Sequence, residues 1–390
     1  MKICACIAEY NPFHLGHLKH IDYMKSVLKA EKIIVVMSGN FTQRGEPAVL
    51  NKFTRAKQAI IAGADLVIEL PTVFATANAE TFARGAVNLI HALGCVDGLC
   101  FGVESGDKDG YLKLAYAMND ESKEFKKALK ERLDSGISLA KAKFEAIKSL
   151  NNADYDAKLI SSPNNILGLE YTKAIIKNKS NIEIYPMLRE GDHNDITLKK
   201  GITSATSIRE ILKTGKITKI KKSVPPFVYK DLTEYPFGFD KLTMASAITT
   251  PAESLAKIAD CTEGLENRIK AFSKDNQTVE QLVDKVSTKR YTSTRVRRIL
   301  TANLLGINKK LVDACLDGTT YAKILAVNSE SKDLISLISK TSSFPVLTRK
   351  SDLSELKKTA LLAFEKDALA NDLYNLATAD KQNENQMIII

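Results

Sequence analysis

Three of the five histidines in this chain, His14, His17 and His20, stand together just after the apolar run Ile3-Cys4-Ala5-Cys6-Ile7-Ala8. Their types and spacing point to chemistry on phosphate. His14 and His17 flank Leu15-Gly16, so in a helix they share one face and can both donate hydrogen bonds to phosphate oxygens. Gly16 removes a side chain between them and lets a ligand come close to the backbone. If a helix begins here, its first N–H groups are unpaired and its positive dipole end favours an anion. Such a site suits attack at the α-phosphorus of a nucleotide, where charge building on the equatorial oxygens is stabilised by donors already in place. A metal pair or solvated surface histidines are the alternatives. Zinc wants a third ligand at a recognisable spacing, and none is evident.

Ser204-Ala205-Thr206-Ser207-Ile208-Arg209 is a second group of this kind. Ser204 is placed to cap a helix, and Arg209 projects from the first turns, where its planar fork can clamp phosphates. Alone, the segment could be a mere helix start.

The surrounding elements would have to bring these groups together. Residues 2–8, 32–37, 65–71 and 98–103 read as buried strands. Leu15, Leu18, Ile21, Met24 and Leu28 recur at helical spacing, and further helices cover about 52–62 and 79–93. Strands alternating with helices imply an α/β fold with a mostly parallel sheet covered on both faces. Residues 109–150 turn helical and highly charged, as an insertion or cap. The α/β pattern resumes with a helix at 164–177, a strand at 182–188 and a helix beginning near Ser204. Beyond Pro225-Pro226 the pattern is mainly helical, most clearly at 263–272, 279–286, 294–305 and 355–377. The expected division is therefore 1–225 and 226–390. The polar tail after Ala379 is expected to be loosely held, with Met387-Ile388-Ile389-Ile390 able to dock.

Composition narrows the class. At 390 residues, 44% hydrophobic and 26% charged, the chain is an ordinary soluble globular protein with room for two or three cores. No apolar run is long enough to span a bilayer. The apolar start is too short, and too soon followed by Glu9, for a signal peptide. The six cysteines include no Cys-x-x-Cys pair, which argues against a zinc knuckle or dithiol motif and for buried thiols in a reducing, cytoplasmic setting. The net charge of +10 favours an anionic partner.

That charge is unevenly spread. Lys285, Lys289, Arg290, Arg295, Arg297, Arg298, Lys309 and Lys310 fall in one stretch without Asp or Glu, and a second basic stretch runs through Lys213, Lys216, Lys219, Lys221 and Lys222 from about residue 199. In the helix after Thr294, Arg295 and Arg298 share an outer face while Val296, Ile299, Leu300 and Leu304 turn to a core. A face of one sign is most at ease beside phosphate, so Lys289, Arg290, Arg295, Arg297 and Arg298 are the candidate RNA contacts. A solvated face is the plainer reading. Tyr291 could stack on a base or sit half-buried.

The strand–loop–helix around His14-Leu15-Gly16-His17 resembles the HxGH signature of the nucleotidyltransferase superfamily, and Ser204–Arg209 resembles the Ser-x-Thr-x-Ile-Arg segment that its adenylyltransferases set opposite. The likeness narrows further. Ala8-Glu9-Tyr10-Asn11-Pro12-Phe13-His14, Gly39-Asn40-Phe41-Thr42-Gln43-Arg44-Gly45-Glu46-Pro47-Ala48, Gly63-Ala64-Asp65-Leu66-Val67-Ile68-Glu69-Leu70-Pro71, Ser161-Ser162-Pro163-Asn164-Asn165-Ile166-Leu167-Gly168 and Glu263-Gly264-Leu265-Glu266-Asn267-Arg268 together resemble the bacterial tRNA(Met) cytidine acetate ligases over nearly the whole chain. The resemblance implies a Rossmann-like HxGH nucleotidyltransferase domain followed by a mainly helical tRNA-binding domain. It implies a ligase that activates acetate with ATP as acetyl-adenylate and acetylates N4 of the wobble cytidine of elongator tRNA(Met), with His14, His17 and Arg209 stabilising the developing charge. Mg²⁺ would bridge the phosphates, without a dedicated cage of side chains. By the same resemblance ATP would contact the loop Ile7-Ala8-Glu9-Tyr10-Asn11-Pro12-Phe13-His14-Leu15-Gly16-His17-Leu18-Lys19-His20, then Gly102, Asn165 and Arg189. Gly102 lies at the carboxyl end of its strand, the usual ligand edge of an open parallel sheet. Asn165 could instead cap a helix, and Arg189 could pair with Glu190. Asn51 departs from the family pattern, which leads one to expect an acidic residue there. Two rivals remain: a small-molecule adenylyltransferase without RNA, and a non-catalytic RNA-binding protein.

Overall fold

The computed structural model describes residues 1–119, 122–135, 137, 139–151, 155–189, 204–232 and 238–390. Its centre is an eight-stranded sheet. The first half runs β1 (Ile3–Ala8), α1 (Leu15–Ser26), β2 (Lys32–Ser38), α2 (Lys52–Ile61), β3 (Leu66–Leu70), α3 (Thr72–Ala75), α4 (Ala79–Ala92), β4 (Gly98–Val103), α5 (Lys108–Met118), α6 (Lys123–Asp134), α7 (Leu139–Asn151), α8 (Pro163–Lys177), β5 (Glu183–Leu188) and α9 (Ala205–Lys213). Then come α10 (Pro226–Asp231), α11 (Phe239–Thr249), α12 (Ala252–Leu255), α13 (Leu265–Ser273), α14 (Val279–Val286), α15 (Ser293–Leu304), α16 (Lys309–Asp317), β6 (Ala322–Val327), α17 (Asp333–Thr341), β7 (Val346–Leu347), α18 (Lys358–Thr378) and β8 (Ile388–Ile389).

Five strands, in the order β5-β4-β1-β2-β3, are parallel. Alternation across the pleat explains why each reads as a continuous apolar run. Ile3, Ala5, Ile34, Val36, Leu66 and Ile68 face a layer that includes Phe82 and Leu169. Cys4, Cys6, Ile33, Val35, Met37 and Val67 face the other, with Ile21, Met24, Phe53 and Ile208. All six cysteines are free thiols. No helix among the described residues is long and apolar enough to cross a membrane.

The second half departs from the expected division. It is mainly helical, but β6 pairs antiparallel with β3, and β7 and β8 pair parallel with β6. Residues 226–390 thus share one sheet with 1–225. The tail docks through its last residues, with the Ile390 N–H donating to the Val327 carbonyl at 3.1 Å. Buried charges lock this junction. Lys52 Nζ lies 2.8 Å from Glu69 Oε1 and 2.7 Å from Glu384 Oε2, and Lys323 Nζ lies 3.0 Å from Glu69 Oε2 and also bonds Glu384. Beside them, Asp367 accepts from the Thr72 N–H at 2.7 Å and from the Tyr321 hydroxyl at 2.6 Å.

Candidate active site

The β1–α1 corner is built from imidazoles. His14 is the N-cap of α1, with extended backbone, and its Nδ1 accepts from the Gly16 N–H at 3.0 Å. His17 Nδ1 accepts in turn from the His14 N–H at 3.2 Å. The two rings stack with centroids 3.7 Å apart and 21° between planes. A ring nitrogen that accepts is unprotonated, so both rings are neutral and carry their proton on Nε2. Burial, reinforced by Arg189 and Arg209, pushes His14 down to about 3. Burial, then His14 and Arg189, drives His17 well below its ordinary value, and burial with Arg189 takes His20 to about 4. Two fixed N–H donors result.

The same geometry corrects two expectations. The first amides of α1 are not free, because the Leu15 N–H donates to the Ser223 carbonyl at 3.2 Å and that of Gly16 to His14. The space above Gly16 is held by the His14 ring itself: a Cβ there would lie 2.9 Å from His14 Cε1. Glycine is needed for the cap, with or without a ligand.

A cavity of about 290 Å³ opens at the carboxyl ends of β1, β4 and β5. Of the expected residues, Ile7, Ala8, Glu9, Tyr10, Asn11, His14, Gly16, His17, Lys19, His20, Gly102, Arg189 and Arg209 line it. Pro12, Phe13, Leu15 and Leu18 do not; Phe13 is core, against Tyr10 and His17 at ring distances of 4.7 and 5.5 Å. Asn165 is also outside the cavity wall and fully buried, its carboxamide accepting from the Glu104 N–H at 2.9 Å and donating to Ser105 Oγ and the Lys158 carbonyl at 2.7 Å each. It shapes the loop after β4, while its neighbours Pro163 and Asn164 line the cavity.

Arg209 reaches across from α9. Its Nη1 donates to the Asn11 carbonyl at 2.8 Å, and Nε lies 3.8 Å from Glu46 Oε2. Ser204 caps α9 by accepting from the Ser207 N–H at 3.2 Å. The amides of Ala205 and Thr206, both on the cavity wall, have no hydrogen-bond partner among the described residues. The helix start that offers amides to phosphate is therefore α9 rather than α1. Arg189 lies with its stem over Gly102, where a Cβ would stand 3.1 Å from Arg189 Cγ and Cδ, and burial holds its guanidinium below the usual range. Glu190, its alternative partner, lies outside the described residues.

Sequence reasoning gave no site role to Arg55, Gln43, Arg44 or Tyr171. Arg55 is fully buried and donates to the Glu9 carbonyl at 2.6 Å, Leu50 at 2.8 Å and Ser38 at 3.1 Å, and also to Gly39. It gathers the loops after β1 and β2. Its signal was a cation on the helical face that Lys52, Ala56 and Ala59 share. Asn51 caps α2, accepting from the Thr54 N–H at 2.9 Å and donating to Asp380 Oδ2 at 2.9 Å, so an amide suits this place better than the expected acid.

The basic run does not stand alone in space. Arg290 pairs with Glu263 at 2.8 Å; Arg295 donates to the Asp260 carbonyl and Thr262 Oγ1, both at 2.8 Å. Arg297 sits 3.7 Å from Glu46 and bonds Glu280, and Arg298 lies 3.8 Å from Asp260. The Tyr291 hydroxyl donates to the Glu263 carbonyl. Lys289 and Arg290 are exposed; the other three arginines are half-buried. The backbone of Arg297 and Arg298 also presses on Gly45, which has φ 72° and where a Cβ would meet it at 2.5 Å. Residues 199–203 of the second basic stretch lie outside the described residues.

A family model described as HIGH Nucleotidyl Transferase matches residues 1–387. A tRNA(Met) cytidine acetate ligase from Acetivibrio thermocellus is 40% identical over 96% of this chain and 94% of that one. One from Thermoanaerobacter sp. is 39% identical over 97% and 96%. The crystal structure of Thermotoga maritima TmcAL bound with alpha-thio ATP covers 100% of both chains at 29% identity with a TM-score of 0.91, and its apo form gives 0.94. With its imidazole-capped corner facing the arginine of α9, the chain belongs to the HIGH nucleotidyltransferase family, within the group of the tRNA(Met) cytidine acetate ligases.

Proposed function

We propose that this cavity joins acetate to ATP and passes the acetyl group to N4 of the wobble cytidine of elongator tRNA(Met). The supporting observation is the convergence of the His14 and His17 Nε2–H donors with Arg189 and Arg209 on one cavity wall. An acetate oxygen attacks the α-phosphorus; the bond to the β-phosphate oxygen breaks and pyrophosphate leaves. The four donors and the α9 amides meet the charge that builds on the phosphoryl oxygens. The cytidine amine then attacks the acetyl carbonyl, loses a proton, and AMP departs. Neutral histidines suit this task, since no proton has to move through them and positioning dominates.

Among the described residues no three His, Cys, Asp or Glu side chains come together to hold a metal. Mg²⁺ would arrive on the triphosphate, shielding its charge there. The tRNA would lie over residues 226–390, where Lys289 and Arg290 stay exposed, with Arg295, Arg297 and Arg298 behind them. Mass spectrometry of tRNA nucleosides after incubation with ATP and labelled acetate tests the whole reaction. His14→Ala should abolish acetate-dependent pyrophosphate release and leave tRNA affinity nearly intact. Lost tRNA binding with unchanged adenylation would refute the assignment.

A further inference from the structure

Besides Arg189, His20 and the start of α9, the cavity is lined by Gln43 and Arg44 from the loop after β2, Phe82 of α4 and Tyr171 of α8. Contacts run from this loop to the residues around it. The Gln43 N–H donates to Glu9 Oε1 at 2.7 Å, and Gln43 Nε2 to the Ala77 carbonyl, just ahead of α4, at 3.2 Å. Tyr171 lies within electrostatic reach of Glu9 and packs edge-on against Phe101 at 5.7 Å.

Two groups here are unspent. Arg44 lines the cavity half-buried, yet makes no hydrogen bond or ion pair among the described residues. Tyr171 is only 5% exposed, and its hydroxyl likewise has no hydrogen-bond partner among them. That hydroxyl is not sealed off from the cavity, so it can donate to a ligand there. An unpaired guanidinium on the same cavity lining asks for an anion, and its fork matches a carboxylate. Phe82 and Phe101 make the rest of this wall apolar. A short carboxylic acid has the matching halves: a charged head and a small apolar end. Glu9, the one carboxylate on this wall, already accepts from Gln43. An acid bound here must also lie beside the β1–α1 corner to reach the α-phosphorus, and Glu9 belongs to that loop.

We propose that Arg44 and Tyr171 grip the carboxylate of the acid substrate, while Phe82 limits the length of its chain. This rests on the adenylation reading above. The assay is acetate-dependent exchange of labelled pyrophosphate into ATP without tRNA. Arg44→Gln and Tyr171→Phe should each raise the KM for acetate about tenfold or more and leave the KM for ATP within a factor of about three. Phe82→Leu, chosen because Phe82 also packs in the core, should raise the ratio of butyrate to acetate kcat/KM by about tenfold. Arg44 makes no hydrogen bond or ion pair among the described residues, and an unchanged Tm of the first variant separates loss of binding from unfolding. A rise in the KM for ATP alone would move Arg44 to the triphosphate and overturn the proposal. Unchanged exchange with weakened tRNA acetylation would move it to the RNA and overturn it as well. Absence of exchange in the wild-type protein would overturn the adenylation reading itself, a result distinct from either.

Discussion

Replacing Gly16 with Ala separates the catalytic use of His14 from its use in folding. The added Cβ would stand 2.9 Å from His14 Cε1 and 3.1 Å from Nδ1. Carbon atoms settle at about 3.5 Å or more, so the ring must retreat by roughly 0.6 Å. That strains the Nδ1 contact to the residue 16 N–H and the stack on His17. The loss of one capping hydrogen bond costs about 0.5–1.5 kcal/mol. Alanine inside a helix returns about 0.5–1 kcal/mol over glycine. The two nearly cancel, so Tm should move by no more than about 3 °C. Catalysis has no such offset: displacing a preorganised donor costs about 10²-fold or more. The expected outcome is a pyrophosphate-exchange rate down about a hundredfold in a protein that melts like the wild type. An exchange rate within threefold of wild type would refute the claim that the His14 ring position matters. A Tm lower by about 10 °C would refute the accounting of the cap.

Further perturbations test the rest of the frame. Asn51→Asp would set a second carboxylate against Asp380, now 2.9 Å from the Asn51 amide, and should cost about 1–2 kcal/mol in urea unfolding, recovered by adding Asp380→Asn. Glu384→Gln leaves Lys52 and Lys323 sharing Glu69 alone and should cost about 3–5 kcal/mol; a smaller change would mean the tail charge is dispensable. Burial, then Glu69, holds Asp367 up to about 7, so folding retains a proton that the unfolded chain gives up near pH 4. Its contribution is fully present below about pH 4 and lost as pH rises to about 7, and Asp367→Asn should flatten this fall in denaturant titrations.

The sequence displayed the first half of the molecule clearly because buried parallel strands leave apolar runs and the βα turns leave motifs. Residues 98–103 were placed to the residue, and the HxGH and Ser-x-Thr-x-Ile-Arg segments do meet across one cavity. The β6 strand escaped notice because Ala-Lys-Ile-Leu-Ala-Val is short and holds a lysine, whose burial makes sense only once Glu69 and Glu384 are seen beside it. Arg295 through Arg298 misled in the opposite way. Their acidic partners sit at 46, 260, 263 and 280, and spacing along the chain cannot show charge brought in from elsewhere. Asn165 was seen as a ligand or a cap; in the fold its carboxamide bridges to Glu104 and Ser105. Such bonds are set by tertiary geometry alone.

The contact of Gly45 with the Arg297–Arg298 backbone bears on modularity. The loop that presents Gln43 and Arg44 leans on a helix from the far half of the chain, and Thr301 Oγ1 donates to the Gly45 carbonyl at 2.8 Å. Excising residues 1–225 as a minimal adenylating unit would strip that loop of its backing and bare one side of β3. Chimaeras that exchange the helical half between relatives would have to keep position 45 as glycine and residues 297–301 of α15 as a matched pair.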